Sequence, residues 1–185
     1  SDVFRNPARI EALSGHSAIG HVRYATAGSH GIENIQPMMA NFQDMQMALA
    51  HNGNLTNASS LRQELEDTGA IFQSSSDSEI LLHLIRHSKA TRFIDQLKEA
   101  LNRVRGGFAY LLLTPYGMFA ALDPHAFRPF VVGQMPDGQY VVTSETAALD
   151  VVGAKFLRDV QPGELISIDD TGMTIDHYTT QTTLN

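Results

Sequence analysis

The chain has 185 residues, 43% of them hydrophobic and 18% charged, with a formal net charge of −7. That length fits one domain, or one domain with a small appendage, and is enough to bury a proper core. No apolar run approaches the ~20 residues of a membrane-spanning helix. The basic residues are scattered, which disfavours a nucleic-acid or anionic-membrane surface, and the lack of any cysteine removes disulfides, thiolate metal sites and a thiol nucleophile from these residues.

In chain order, Arg9 to Leu13 could form a short helix, and Ile19 to Ala25 alternates like a strand, with His21 and Arg23 on one face. Residues 27–37 are rich in Gly, Ser and Asn and read as a loop. A strand is expected from Met45 to His51, leading into Asn52-Gly53, where the dipeptide predicts a sharp turn. Asn57 is placed to cap a helix through Glu66, which Gly69 ends. Ser76 and Glu79 have capping-box spacing before a helix whose apolar face is Ile80, Leu81, Leu84 and Ile85. A third helix is expected over about residues 91–105, with Phe93, Leu97, Leu101 and Val104 on one side and Gly106-Gly107 as its stop.

The pattern then changes to strands. Phe108 to Thr114 is nearly all apolar, as in a strand buried on both faces. Met118 to Leu122, Phe130 to Gly133 and Gln139 to Thr143 follow, separated by Pro-, Asp- and Gly-containing turns. A short helix runs from Ser144-Glu145 through Val151, and three more strands cover Lys155 to Val160, Glu164 to Ile168 and Met173 to Tyr178. Residues 179–185 read as a tail. This order argues for an α+β fold with largely antiparallel sheets and helices on their faces.

Several residues could carry chemistry. The Asn52 amide and the Gly53 N–H are adjacent donors of the kind an oxyanion hole needs, although Asn-Gly is also the commonest hairpin signal. Arg23, with Thr26 just beyond it, could grip a carboxylate through parallel hydrogen bonds or sit in a structural ion pair. Asp77, in the first turn of a helix, could hold an ammonium group or only stabilise the helix end. His51 could be a base or a polar structural partner. His83 and His87, one turn apart, could bind a metal, but no third ligand is evident. Together, Arg23, Thr26, Asp77, Asn52 and Gly53 form a receptor for a free amino acid with a side-chain amide, glutamine or asparagine.

The segments GHVRYATAG (20–28), QP (36–37), LAHNGNLTNA (49–58), SSSDSEILLHLI (74–85), ALDPHAFRP (121–129) and TSETAALDVVGAKFLRDVQPGE (143–164) together resemble the glutaminase domain of the amidophosphoribosyltransferase family. Glucosamine-6-phosphate synthase and asparagine synthetase share only its general plan. The resemblance implies an α+β N-terminal-nucleophile hydrolase-like fold, a four-layer αββα sandwich with antiparallel sheets. It implies residues 1–178 as a class II glutamine amidotransferase domain lacking its leading segment, and 179–185 as a tail toward an absent phosphoribosyltransferase domain. It implies glutamine as substrate, with Arg23 and Thr26 on its carboxylate, Asp77 on its amine, and Asn52 with Gly53 as the oxyanion hole. Ammonia would pass to phosphoribosyl pyrophosphate to make 5-phosphoribosylamine, the first step of de novo purine synthesis.

No cofactor is implied in this domain; magnesium is expected in the phosphoribosyltransferase domain of the same polypeptide. A cytoplasmic homo-oligomer that binds neither nucleic acid nor membrane is expected. Two departures stand out. The family's nucleophile is an N-terminal cysteine, and this chain has none. Ser1 is no substitute, because its neighbours resemble a segment inside the family's domain, so the chain alone is expected to be inactive. The family usually places Asn-Gly after Asp-Pro, where this chain has His125-Ala126. The alternative reading is a non-catalytic binding or assembly module on the same fold.

Overall fold

A computed structural model describes residues 7–22, 32–42 and 45–183. Its helices are α1 (Pro7–Glu11), α2 (Ala58–Asp67), α3 (Ser78–His87), α4 (Phe93–Arg103) and α5 (Thr146–Val152). Its strands are β1 (Met38–Phe42), β2 (Met45–Leu55), β3 (Gly106–Thr114), β4 (Gly117–Leu122), β5 (Val131–Gln134), β6 (Tyr140–Thr143), β7 (Lys155–Asp159), β8 (Glu164–Asp169) and β9 (Gly172–His177). The order β1-β2-β3-β4-β8-β9 makes a six-stranded sheet, and β6-β5-β7 a three-stranded one. Every pairing is antiparallel.

The alternation of side chains along β3 and β4 produces the layers. Phe108, Tyr110 and Leu112 of β3, with Phe119 and Ala121 of β4, face a core shared with α2, α3 and α4. Ala109, Ala120 and Leu122 point the other way, against Phe130, Val132 and Val142 of the second sheet. Val131 then packs outward on Leu149 of α5. The result is helices, six strands, three strands, helix: the expected αββα sandwich. The apolar run beginning at Phe108 is buried on both faces because it is central to the larger sheet. Helix α3 lies deepest, with Ile80, Leu81, Leu82, Leu84 and Ile85 all buried, each worth about 1.5–3 kcal/mol.

Four expectations are corrected. Asn52-Gly53 makes no turn: β2 continues through it to Leu55, because β3 pairs along the whole segment, Asn52 opposite Ala109 and Gly53 opposite Phe108. Gly106-Gly107 opens β3 rather than stopping a helix. Residues 19–22 form no strand, and the rest of that expected strand lies outside the described residues. Asn57 sits at the start of α2 but its side chain makes no capping bond. It bridges instead to the end of α4, its Nδ2 donating to Arg103 O and its Oδ1 accepting from Arg105 N–H, both at 2.9 Å.

Helix α2 does end as expected. Gly69, at φ 93°, donates to Glu66 O and Ala70 donates to Leu65 O, the two bonds of a Schellman motif. The expected tail is held through Thr183, whose N–H donates to Pro124 O at 3.0 Å and whose hydroxyl lies 2.6 Å from His125 Nδ1.

Candidate functional site

The site is built on the outer edge of β2. Strand β1 covers that edge only as far as Met38 opposite Leu49. Antiparallel pairing alternates which edge each N–H faces. Thr56 N–H donates to Arg105 O at 2.8 Å, so Asn54 and Asn52 also direct their N–H groups toward β3. His51, Gly53 and Leu55 direct theirs outward. The Gln36 side-chain Oε1 accepts from His51 N–H at 2.6 Å, and Asp77 Oδ2 accepts from Leu55 N–H at 2.8 Å. Gly53, between them, has no acceptor among the described residues. Among the described residues it is an open backbone donor on an uncovered strand edge, with the exposed side chain of Asn52 next to it.

Only glycine fits there. A Cβ on residue 53 would lie 2.1 Å from Gly107 O and 2.8 Å from Phe108 Cα, and the φ of 153° disfavours any side chain. The close approach to β3 therefore fixes where the open N–H points.

Asp77 comes to this edge from the N-cap position of α3, one residue before the first turn where the sequence placed it. Ser76 Oγ accepts from Ser78 N–H at 3.3 Å, while Glu79 turns away from the helix end. Its carboxylate accepts from Gln73 N–H, Ser74 N–H and the Ser74 hydroxyl, at 2.8, 2.8 and 2.6 Å. This is not the reciprocal capping box that the spacing suggested; Glu79 instead anchors residues 73–76. The Asp77 side chain is left free to reach β2, with 23% of its surface still exposed. Burial pushes its carboxyl up, but the hydrogen bond and charge of the His51 ring, with the N–H groups of Leu55 and Ser78, outweigh that and hold it below the usual carboxylate range. It is an anion at neutral pH.

His51, Ser78 and Tyr110 lie beneath, all buried. His51 Nδ1 is 2.9 Å from Ser78 Oγ and 3.6 Å from Asp77 Oδ1. Its ring stacks on Tyr110 with centroids 4.4 Å apart. Burial first, and the nearby Asp77 charge second, push the Tyr110 phenol well up, so it stays protonated. The sequence reading gave no role to Ser78, Tyr110 or Gln36, although QP (36–37) was among the segments that carried the resemblance. The available signals were the adjacency of Ser78 to Asp77 and the alternation that puts Tyr110 opposite His51 across β2 and β3.

The structure thus brings Asn52, Gly53 and Asp77 to one strand edge. Arg23 and Thr26 lie outside the described residues. His83 and His87 do not converge on a shared point: His83 Nε2 is 3.4 Å from Glu79 Oε1, and His87 Nδ1 is 2.9 Å from His83 O. Among the described residues no group of three or more His, Cys, Asp or Glu is arranged to hold a metal, and no helix is long and apolar enough to cross a membrane.

A four-layer αββα sandwich of antiparallel sheets is the N-terminal-nucleophile hydrolase class of fold. Residues 21–151 match the family model of the glutamine amidotransferase domain, and the chain belongs to that family. It is 54% identical over 179 residues to an amidophosphoribosyltransferase of Staphylococcus aureus, covering 96% of this chain and 36% of that protein. Two solved structures superpose on 89% of this chain and 36% of their own. One is the allosteric regulatory enzyme of purine biosynthesis, at 48% identity and a TM-score of 0.85. The other is glutamine phosphoribosylpyrophosphate amidotransferase from B. subtilis complexed with ADP and GMP, at 47% and 0.83. The chain spans about a third of the length of the curated relatives it matches.

Proposed function

We propose that this chain is the glutamine-binding part of an amidophosphoribosyltransferase, in which ammonia released from glutamine is passed to phosphoribosyl pyrophosphate. The observation that carries the reading is the open Gly53 N–H, flanked along one strand edge by the Asp77 carboxylate. Gly53 N–H and the Asn52 side-chain amide donate to the oxygen of the substrate amide as it becomes an oxyanion. Removing one such donor typically costs about 10²–10³ in rate. Asp77 holds the α-ammonium. Gly53 and Leu55, where Asp77 is anchored, are two residues apart, about 7 Å along a strand. That span suits an amino acid whose amide lies several bonds from its α-carbon, which favours glutamine over asparagine. Arg23 and Thr26 take the α-carboxylate.

These 185 residues contain no cysteine, so the thiol nucleophile of this reading comes from outside them. It would form a thioester with the glutamyl carbon as the C–N bond breaks and ammonia leaves, and water would then release glutamate. Alone, this chain binds but does not hydrolyse. Residues 1–178 form the amidotransferase part, with 179–185 leading toward the phosphoribosyltransferase part, where magnesium and phosphoribosyl pyrophosphate bind. The test is glutamate release from glutamine by the complete polypeptide and by its Arg23→Ala variant. Release that depends on Arg23 is expected. No release from the wild type, with or without phosphoribosyl pyrophosphate, would favour a binding module on the same fold.

A further inference from the structure

His51 meets both halves of the site. Its backbone N–H is held by Gln36 Oε1 at 2.6 Å, and its side chain is only 1% exposed, between β2 and the start of α3. On one side Nδ1 touches Ser78 Oγ at 2.9 Å and approaches Asp77 Oδ1 at 3.6 Å. On the other, Nε2 has no hydrogen-bond partner among the described residues and lies 2.9 Å from where a Cβ of Gly53 would stand. Tyr110, stacked on the ring, also has a buried hydroxyl with no partner among the described residues. A buried imidazole with one nitrogen unsatisfied is a cost that a purely structural position would normally remove. What the ring does provide is a second point of attachment for Asp77. The first is Leu55 N–H to Oδ2; the second is Nδ1 toward Oδ1, with Ser78 fixing the ring from the same turn.

We propose that His51 is a positioning residue for glutamine: wedged between β2 and the start of α3, it orients the Asp77 carboxylate toward the substrate ammonium while its own backbone continues into the Asn52–Gly53 donors. The proposal rests on the assignment of Asp77 above. The imidazole does not touch substrate; it fixes the rotation of a carboxylate that is otherwise held through main-chain N–H groups. Asp77 serves binding in the ground and transition states alike, so losing its orientation raises KM for glutamine with little change in kcat.

The contact runs through Nδ1, and this makes the test specific. His51→Phe keeps the ring volume and the stacking on Tyr110 but loses Nδ1. His51→Asn puts an amide nitrogen close to the Nδ1 position but loses the stacking. In the complete polypeptide, His51→Phe is expected to raise KM for glutamine about tenfold with kcat within about threefold. His51→Asn should keep KM within about threefold even though it melts lower than His51→Phe. Affinity and stability then rank the two variants in opposite orders, which a packing role does not predict.

Ser78→Ala, which leaves the imidazole in place, is expected to raise KM about threefold and to add little in combination with His51→Phe. Asp77→Ala, measured alongside, separates the layers of the account. If Asp77→Ala raises KM and His51→Phe does not, the positioning role is overturned while the assignment of Asp77 stands. If Asp77→Ala leaves KM unchanged, both fall. A His51→Asn KM as high as that of His51→Phe would also overturn the proposal.

Discussion

Two aspartates, Asp77 and Asp123, sit at ends of secondary-structure elements and both accept backbone N–H groups, yet they are finished differently. Asp123, at the end of β4, is fully buried. Its carboxylate accepts from Phe108, His125 and Phe127 N–H at 3.2, 2.8 and 3.1 Å, so its capacity is spent on closing the loop toward β5. Asp77 accepts from Leu55 N–H, leans on an imidazole 3.6 Å away and keeps part of its surface in solvent. A fully buried carboxylate engaged by three backbone N–H groups is a structural clasp. One left partly exposed beside an outward-facing N–H is the one proposed to receive a ligand. Sequence position does not tell them apart; the number of backbone donors each meets does.

The comparison is most exposed at Asp123. Asp123→Ala strands three N–H groups in the interior and is expected to cost about 3–5 kcal/mol, read by denaturant unfolding. A loss below about 1 kcal/mol would remove the distinction. Gly53→Ala should cost about 3 kcal/mol or more, from the 2.1 Å approach to Gly107 O and the strained φ, read the same way. Asp77→Ala should lose no more than about 2 kcal/mol of stability. It should also weaken glutamine binding by ~1.5–3 kcal/mol, the worth of a charge-assisted partner, which titration calorimetry on the complete polypeptide would register as roughly a ten- to hundredfold change.

The acid limb of the stability curve sharpens the same point. The carboxyls of Asp77 and Glu79 lie below their ordinary values of 3.8 and 4.5 in the folded chain. Each therefore stabilises the fold above its ordinary value and loses that contribution as pH falls through the lowered one. Asp77→Asn and Glu79→Gln should both flatten the fall in stability below about pH 4.5, and an unchanged slope would deny that the fold stabilises their anionic forms. The smallest effect is at Ala126, which holds φ 52° in the loop that Asp123 closes. Ala126→Gly should stabilise by up to about 1 kcal/mol, since relief of the left-handed strain exceeds the added chain entropy. A lower melting temperature would contradict it.

Much of this was legible in the residues. The layers follow from Phe108-Ala109-Tyr110, whose strict alternation serves two cores, and the end of α2 follows from Gly69. The roles proposed for Asn52, Gly53 and Asp77 rest on their combination and on the family resemblance, because taken singly Asn-Gly suits a turn and Asp77 a helix end. The geometry was not readable. Asn52-Gly53 has the composition of a turn, and only the pairing of β3 across it, 55 residues on, keeps it extended. The Gly53 N–H matters because β1 begins only at Met38, just after Pro37, which has no N–H for a ladder, and the register that places this end opposite Leu49 was not readable locally. The Asn57 side chain was lost to a partner 46 residues away that no helix-capping rule contains.

The central claim is that the edge of β2 and the start of α3 form one glutamine receptor. The most direct measurement is a crystal structure of the complete polypeptide with glutamine bound. The account predicts the amine within hydrogen-bond distance, about 3 Å, of the Asp77 carboxylate, and the side-chain amide oxygen accepting from Gly53 N–H and the Asn52 amide. Glutamine bound with its amide away from Gly53, or with no contact to Asp77, would contradict it.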